Sequence, residues 1–496
     1  MLSIFSELFD DLHDQEIRYC HFKSNDHLED GLCGNTDLDI LVHTDDASKI
    51  VRILLQNGFK RTVAGFGVRN HAREGYLGFD HHSGKLVYID LHFTIIIGKN
   101  RIREYALDHW SHHFLAHRIK DENTGVFIVS PNHEFLLLLT RAAIKIRLRD
   151  TIRHYLGIEY FNSDWKKQYD WLQQRYDKNN NLECLQDFFA QSVSEKFLEL
   201  YSKYPSFDQL RYLRKEFRRR HFGSLKYGRL SSFVGMFFKE ANGALCFLNR
   251  KYLNYYLPLS RRTLATGGRF IALIGVDGAG KSTQIKLLSD FLSWKLDVSE
   301  FYLGAGDGSA SWHRRCLKFA RRLFEKQAKA GSHTQHMQNT DNRQGTIKSI
   351  AKILWGISLC IEKNRKLRSS HRQAKRDVIV ISDRYPQHNV IGFNDGPLLN
   401  KYLDSDFYPL KLFSKWESKI YSGEIYGSPD LVIKLVVPPD VSIARGQSES
   451  LEYLDRRIKA VNSICFSNFC KTVTIDASSP IDEVAINIRR HVWEHL

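Results

Sequence analysis

The chain has 496 residues, 43% of them hydrophobic and 26% charged, with a formal net charge of +16. That length exceeds a typical single core and asks for about two or three domains, while the apolar content excludes wholesale disorder. The excess of basic residues points to a polyanionic partner (nucleic acid, a phosphorylated substrate or anionic lipid) or to a surface charged for solubility.

In chain order, the opening "MLSIFSELFDDLHDQEIRYC" is acidic and amphipathic, without the basic start and apolar centre of a signal peptide. Nowhere does an apolar run approach the roughly 20 residues that cross a bilayer. Eight scattered cysteines form no CxxC pair, so neither a zinc ribbon nor a disulfide framework is indicated. The expectation is a cytoplasmic protein with reduced thiols.

"FSELFDDLHD" predicts a helix, "TDLDILVH" a buried strand, "ASKIVRILLQNGF" a helix closed by Gly58, and "GKLVYIDLHFTIII" a second strand. Asp37 and Asp39 alternate along the first strand, so both side chains are expected on one face. Asp90 follows on the second strand, with polar His92 two positions on. An apolar strand has little use for an unpaired acid. Three acids on two such strands therefore suggest a Mg²⁺ site and in-line attack on a nucleoside triphosphate.

This pattern resembles the nucleotidyltransferase superfamily of the polymerase-β type, which carries a Gly-Ser turn, then Asp-h-Asp, then a third Asp. The resemblance covers about Tyr19 to Thr94, and "SPNHEFLLLLTRAAIK" is similar to the helix behind such domains. It implies Ser24 as the serine that contacts the triphosphate, and Asp37, Asp39 and Asp90 as metal ligands. Lys23 stands where the turn carries glycine. Glycine lets backbone approach phosphate, so Lys23 stands against ordinary backbone cradling of a triphosphate, and its ammonium is the group that could contact the phosphate instead; a degenerate binding domain and solvated strand-end acids are the alternative readings.

From residue 131 to about 262 the pattern is helical and rich in Tyr, Phe, Arg and Lys. Arg211 to Arg229 carries eight basic residues against one acid, and an aromatic stretch follows. Such a region binds RNA, lies on an anionic membrane surface, or is a solvated helix face with a linker.

After "TLATGG" the pattern changes to alternating buried strands and helices, which implies a parallel sheet covered by helices. "FIALIG" is a short strand running into "VDGAGKSTQIKLLSDFL", so Gly275, Gly280, Lys281 and Ser282 satisfy GxxxxGK[ST] between strand and helix. In that motif glycines let backbone N–H groups wrap phosphate, the lysine neutralises the β/γ oxygens, and the hydroxyl ligates Mg²⁺. Later, "RDVIVISDRYPQ" ends a buried strand on Asp383 and Arg384. A carboxylate there holds Mg²⁺ or accepts a proton, and an arginine beside it clamps an acceptor phosphate. The polar stretch Lys329 to Gly345 is expected to be a loop.

"GVDGAGKSTQ", "VIVISDRY", "SPDLVIKLVVPPDVSIAR" and "TVTIDASSPIDEVAINIRRHV" resemble thymidylate kinases in order and rough spacing, over about Arg269 to Leu496. The resemblance implies a five-stranded parallel sheet flanked by helices and transfer of the γ-phosphoryl group of ATP. By motif it places Asp277, Gly278, Gly280, Lys281, Ser282 and Thr283 in the phosphate loop, and Asp383 and Arg384 on the acceptor side. The family's arginine-containing REP turn is replaced by "EFYLGAGDGS", so the acceptor is not expected to be dTMP. The lid is shortened to "GQSESLEYLDRR", which leaves Arg445, Arg456 and Arg457 to stabilise transition-state charge. Arg365 is the candidate for reading a base.

The sequence thus suggests an α/β multidomain protein. Its parts are a mixed-sheet α+β nucleotidyltransferase-like domain (1–130), an all-α basic and aromatic region with linker (131–262) and a P-loop domain (263–496). One reading is a bifunctional enzyme using ATP and Mg²⁺: the P-loop domain phosphorylates a small sugar, polyol or nucleotide, and the N-terminal domain adds a nucleotidyl group, as in making surface-polysaccharide precursors. The other is a regulatory or defence factor in which an ATP-binding switch controls nucleotidyl transfer to RNA or protein. Peripheral attachment at the inner face of a membrane and a homodimer stay open in both.

Overall fold

The computed structural model describes residues 1–64, 72–98, 104–157, 160–177, 181–225, 229–253, 255–257, 262–304, 341–390, 396–445, 450–466 and 470–496. The chain divides into two units, Met1–Tyr252 and Leu253–Leu496. Both are mixed α/β; the first carries a mixed sheet and many helices, the second a parallel sheet.

The sheet of the first unit is built from β1 (Tyr19–His21), β2 (Leu38–Val42), β3 (Lys60–Ala64), β4 (Arg73–Asp80), β5 (Lys85–His92), β8 (Ile119–Lys120) and β9 (Phe127–Ile128). A separate hairpin pairs β6 (Ile95–Ile97) with β7 (Tyr105–Leu107). Strand order runs β3-β4-β5-β2-β1-β9-β8. β2 and β5 are parallel neighbours, and the register sets Asp39 level with Asp90. Because side chains alternate along a strand, Leu38, Ile40 and Val42 enter one core with α1 (Ser3–Asp14) and α3 (Ala47–Gln56). Asp39 and Leu41 therefore leave the opposite face, as do Asp90 and His92 of β5. The short α2 (Leu28–Leu32) leads into β2. Asp37 precedes that strand and is half-buried.

The opposite face is covered by α4 (Asp108–Ala116), α5 (Pro131–Lys145) and a core built with α7 (Ser163–Gln173), α8 (Asn181–Gln186), α9 (Gln191–Ser202) and α10 (Phe207–Arg220), while α6 (Leu148–Tyr155) lies outside that core. Phe135, Tyr169, Phe188, Tyr201 and Phe217 close one aromatic-rich core with Trp110. The basic, aromatic stretch of the sequence is thus mainly a covering layer of the first unit, and α11 (Arg229–Lys251) ends it.

In the second unit a short β10 (Arg262–Leu264) precedes β11 (Phe270–Gly275), β12 (Val298–Tyr302), β13 (Ile379–Asp383), β14 (Leu431–Val436) and β15 (Lys471–Asp476). The sheet has five strands in the order β12-β13-β11-β14-β15, all parallel. Parallel sheets are covered on both faces, and the apolar run "FIALIG" is buried throughout. The covering helices are α12 (Lys281–Ser293), α13 (Asp341–Ala374), α14 (Tyr408–Tyr421), α15 (Pro439–Ala444), α16 (Leu451–Ser463) and α17 (Ile481–His495). The loop expected at Lys329 to Gly345 lies outside the described residues up to residue 340, and Asp341 to Gly345 begin α13. Among the described residues no disulfide forms and no helix is long and apolar enough to cross a membrane.

Candidate functional site

β11 is the central strand of its sheet, and the chain leaves its C-terminal end into the loop 276–280. A Cβ on Gly275 would lie 2.5 Å from the carbonyl oxygen of Leu435 on β14, so the close strand approach at the loop's start excludes a side chain. Gly278 and Gly280 hold φ of 86° and 79°, which suits glycine, and Gly280 caps α12. Lys281, Gln284, Ile285, Leu288 and Leu292 form the buried stripe that fixes this helix against the sheet. Ser282 and Thr283 lie exposed on its first turn. The result is a helix N-terminus aimed from a glycine loop, a ready anion site.

Asp277 is the electrostatic centre of the loop. Arg384 Nη2 donates to its Oδ1 at 2.6 Å, Arg457 Nη1 donates to Oδ2 at 2.9 Å, and Lys281 Nζ lies 3.6 Å away. Burial pushes Asp277 up, but the Arg384, Lys281 and Arg457 charges outweigh it and hold the carboxyl below its ordinary range. Burial, then the Arg384 charge, draws the Lys281 ammonium down, with Asp277 and Asp383 opposing. Lys281 Nζ also donates to the Val276 carbonyl at 2.8 Å. Arg445 donates to the carbonyls of Gly278 and Ala477 at 3.3 and 2.9 Å. Arg456 is exposed and pairs with Glu452, and Arg365 is exposed on α13.

Asp383 ends β13 beside β11, and the Ser282 hydroxyl donates to its Oδ2 at 3.2 Å. A hydroxyl and a carboxylate meeting at the phosphate loop are hard oxygen donors and fit Mg²⁺. The next residue, Arg384, holds φ of 69°, an uncommon conformation outside glycine that turns its side chain back toward Asp277. The structure therefore gathers Lys281, Ser282, Asp277, Asp383, Arg384, Arg445 and Arg457 around one loop. The second half of the "EFYLGAGDGS" departure (residues 305–309) and residues 446–449 of the shortened lid lie outside the described residues.

In the first unit, Asp39 and Asp90 share a face with His92, whose Nε2 lies 3.6 and 3.7 Å from them. Lys23 Nζ sits 2.7 Å from Asp39, and Arg73 pairs with Asp90. Burial pushes Asp39 up, but Lys23 and His92 hold it well below the carboxylate range. Burial likewise pushes Asp90 up, and contact with His92 and the Arg73 charge hold it low. Both His92 ring nitrogens are buried without a hydrogen-bond partner. The three groups are close enough to hold an ion, and Asp37 is not among them. In this state Lys23 and Arg73 balance the carboxylates, so a Mg²⁺ ion would have to displace Lys23.

Ser24 holds φ of 59° at the turn after β1 and opens on a cavity of about 520 Å³. Arg141, Lys145, Arg147 and Trp165 help line it. Glu134 of α5 fixes the turn by accepting from the Asn25 backbone N–H and side-chain amide at 3.1 and 2.7 Å. Sequence reasoning missed Arg73 as the partner of Asp90 and Arg141 as a wall of the cavity, and passed over Lys23 as a partner of Asp39; for Lys23, a basic residue two positions into β1's exit turn is the only local signal.

No family model matches the chain. Two proteins of Escherichia coli strain K12 are similar to part of it. The uncharacterized ATP-binding protein YghS is 29% identical over 226 residues, 44% of this chain and 90% of the relative. The uncharacterized ATP-binding protein YghR is 29% identical over 220 residues, 43% of this chain and 82% of the relative.

Proposed function

We propose that the second unit binds ATP with Mg²⁺ and transfers its γ-phosphoryl group to a small acceptor other than dTMP: a sugar, a polyol or a nucleotide. The observation that carries this reading is the convergence of Lys281, Arg384 and Arg457 on Asp277 at a glycine loop. Three cations around one carboxylate leave positive charge where phosphates lie, and such charge stabilises phosphoryl transfer. The names of YghS and YghR support the donor.

In this reading Lys281 exchanges the Val276 carbonyl for phosphate oxygens. Ser282 and Asp383 would hold Mg²⁺, which supplies charge neutralisation on the phosphates. Asp383 also accepts the acceptor's proton, Arg384 orients the acceptor, and Arg445 and Arg457 meet the charge of the transferring group. The test is ADP release from Mg²⁺-ATP against a panel of sugars, polyols and nucleotides. Acceptor-dependent ADP, lost in Lys281→Ala, is expected; no release with any acceptor overturns the reading.

A second reading concerns the first unit, and the level placement of Asp39 and Asp90 on adjacent parallel strands favours it. It is a nucleotidyltransferase-like unit in which Asp39 and Asp90 would hold Mg²⁺ and Lys23 is the group released to a triphosphate. Asp39→Asn should then abolish pyrophosphate release while leaving ADP release intact. The competing switch, an ATP-bound unit controlling nucleotidyl transfer onto RNA or protein, predicts ATP binding with no acceptor turnover.

A further inference from the structure

The first unit contains a second cluster of titratable side chains that neither reading uses. His113 lies near the end of α4, His117 caps that helix four residues on, and His133 sits in the first turn of α5. One ring nitrogen of each lies within 4.8 Å of the others. His113 Nδ1 faces His133 Nε2 at 2.9 Å, and the His113 and His117 rings stack with centroids 4.2 Å apart.

The remaining nitrogens are each held from outside. His113 Nε2 lies 2.9 Å from Asp187 Oδ2, His117 Nδ1 lies 3.0 Å from the His113 carbonyl, and His133 Nδ1 contacts the Ser130 hydroxyl. Metal-ligating histidines are characteristically oriented this way, the outer nitrogen engaged by a carboxylate, carbonyl or other oxygen so that the inner lone pair is aimed. His133 is buried against Phe114 and Phe188, whereas His117 is exposed, so one side of the cluster is rigid and the other open to water.

We propose that His113 Nδ1, His117 Nε2 and His133 Nε2 bind one divalent transition-metal ion of the zinc type, with water as the fourth ligand. Three imidazoles select such ions over Mg²⁺ or Ca²⁺, which take oxygen donors. In a tetrahedral site with metal–nitrogen bonds of about 2.1 Å the nitrogens stand about 3.4 Å apart. That spacing falls between the 2.9 Å of the His113–His133 pair and the 4.8 Å bound of the cluster, so modest side-chain rotation closes the site.

Without an ion the same groups form a neutral relay. One tautomer set satisfies all three contacts: the Ser130 hydroxyl donating to His133 Nδ1, His133 Nε2–H donating to His113 Nδ1, and His113 Nε2–H donating to Asp187. Ion binding moves the His133 proton from Nε2 to Nδ1, where the Ser130 oxygen accepts it, and no net proton is released.

The test is titration of the metal-stripped, full-length protein with Co²⁺, read by visible absorption, with Zn²⁺ as competitor. One Co²⁺ per chain with a four-coordinate spectrum, displaced by Zn²⁺, is expected in the wild type and in Asp39→Asn alike. His117→Ala, at an exposed position and with its fold checked by circular dichroism, should weaken binding at least tenfold. Absence of Co²⁺ uptake overturns the proposal. So does uptake that survives His117→Ala but is lost in Asp39→Asn, which assigns the ion to Asp39, Asp90 and His92.

Discussion

Asp277 shows how residues far apart in the chain become one device. Its partners Arg384 and Arg457 are 107 and 180 positions away. Each is recognisable in the sequence from its own motif, but their meeting on a single carboxylate is a tertiary fact that no local pattern encodes. The same holds for Lys23, which the sequence marks as a missing glycine and the structure places on Asp39. Removing the Lys281 ammonium should weaken Mg²⁺-ATP binding by about 10- to 100-fold, roughly 1.4–2.7 kcal/mol, as measured by equilibrium titration of Lys281→Ala. A second prediction concerns His371, whose Nε2 contacts the Tyr385 hydroxyl at 3.0 Å. Burial, then the Lys375 charge, draws this imidazole from 6.5 down to about 4. The folded state thus refuses a proton that the unfolded chain accepts. The associated stability is complete above pH 6.5 and is lost as pH falls toward 4, at up to about 1.4 kcal/mol per unit. In urea unfolding between pH 6.5 and 5, His371→Gln should show a correspondingly shallower acid slope; an unchanged slope contradicts this assignment.

At the scale of elements, β11 is held on both sides by parallel neighbours, and a Cβ on Gly275 would meet the Leu435 carbonyl of β14. Gly275→Ala should cost about 1–3 kcal/mol by forcing strand or loop apart, and should weaken ATP binding along with it; thermal unfolding with and without Mg²⁺-ATP reads both. The parallel sheet was legible because doubly covered strands are continuous apolar runs, as "FIALIG" and "VIVIS" are. β4, "REGYLGFD", was not legible, because what makes it a buried strand is packing. Its Gly75 and Gly78 leave room for the Tyr88 hydroxyl and the Phe59 ring, which a Cβ would meet within 1.9 and 2.6 Å. The acid pattern was legible in part: Asp39 lies level with Asp90 on the neighbouring strand, but Asp37 precedes the strand, and strand ends are set by pairing with neighbours rather than by the residues themselves. The three histidines of α4 and α5 escaped notice because only His113 and His117 share a helical spacing, while His133 arrives from another helix.

On the scale of the whole molecule, the net charge of +16 meets an exposed apolar surface on α11 and the residue after it. Phe237, Phe238, Phe247 and Tyr252 are 69%, 68%, 53% and 65% exposed, and Arg250 and Lys251 lie at the helix end. Aromatic rings beside basic groups suit the surface of an anionic bilayer. As a test of the proposed peripheral attachment, sedimentation with phosphatidylserine vesicles that is strong at low salt, falls at high salt and is lost in Phe237→Glu/Phe238→Glu would support it; no sedimentation, or binding that ignores both changes, contradicts it. The account as a whole rests on the phosphate loop of the second unit. Calorimetric titration of the full-length protein with Mg²⁺-ATP tests it most directly, comparing wild type, Lys281→Ala and Asp39→Asn. Binding that persists in Asp39→Asn and collapses in Lys281→Ala is predicted. Binding that is absent from the wild type, or untouched by Lys281→Ala, would contradict it.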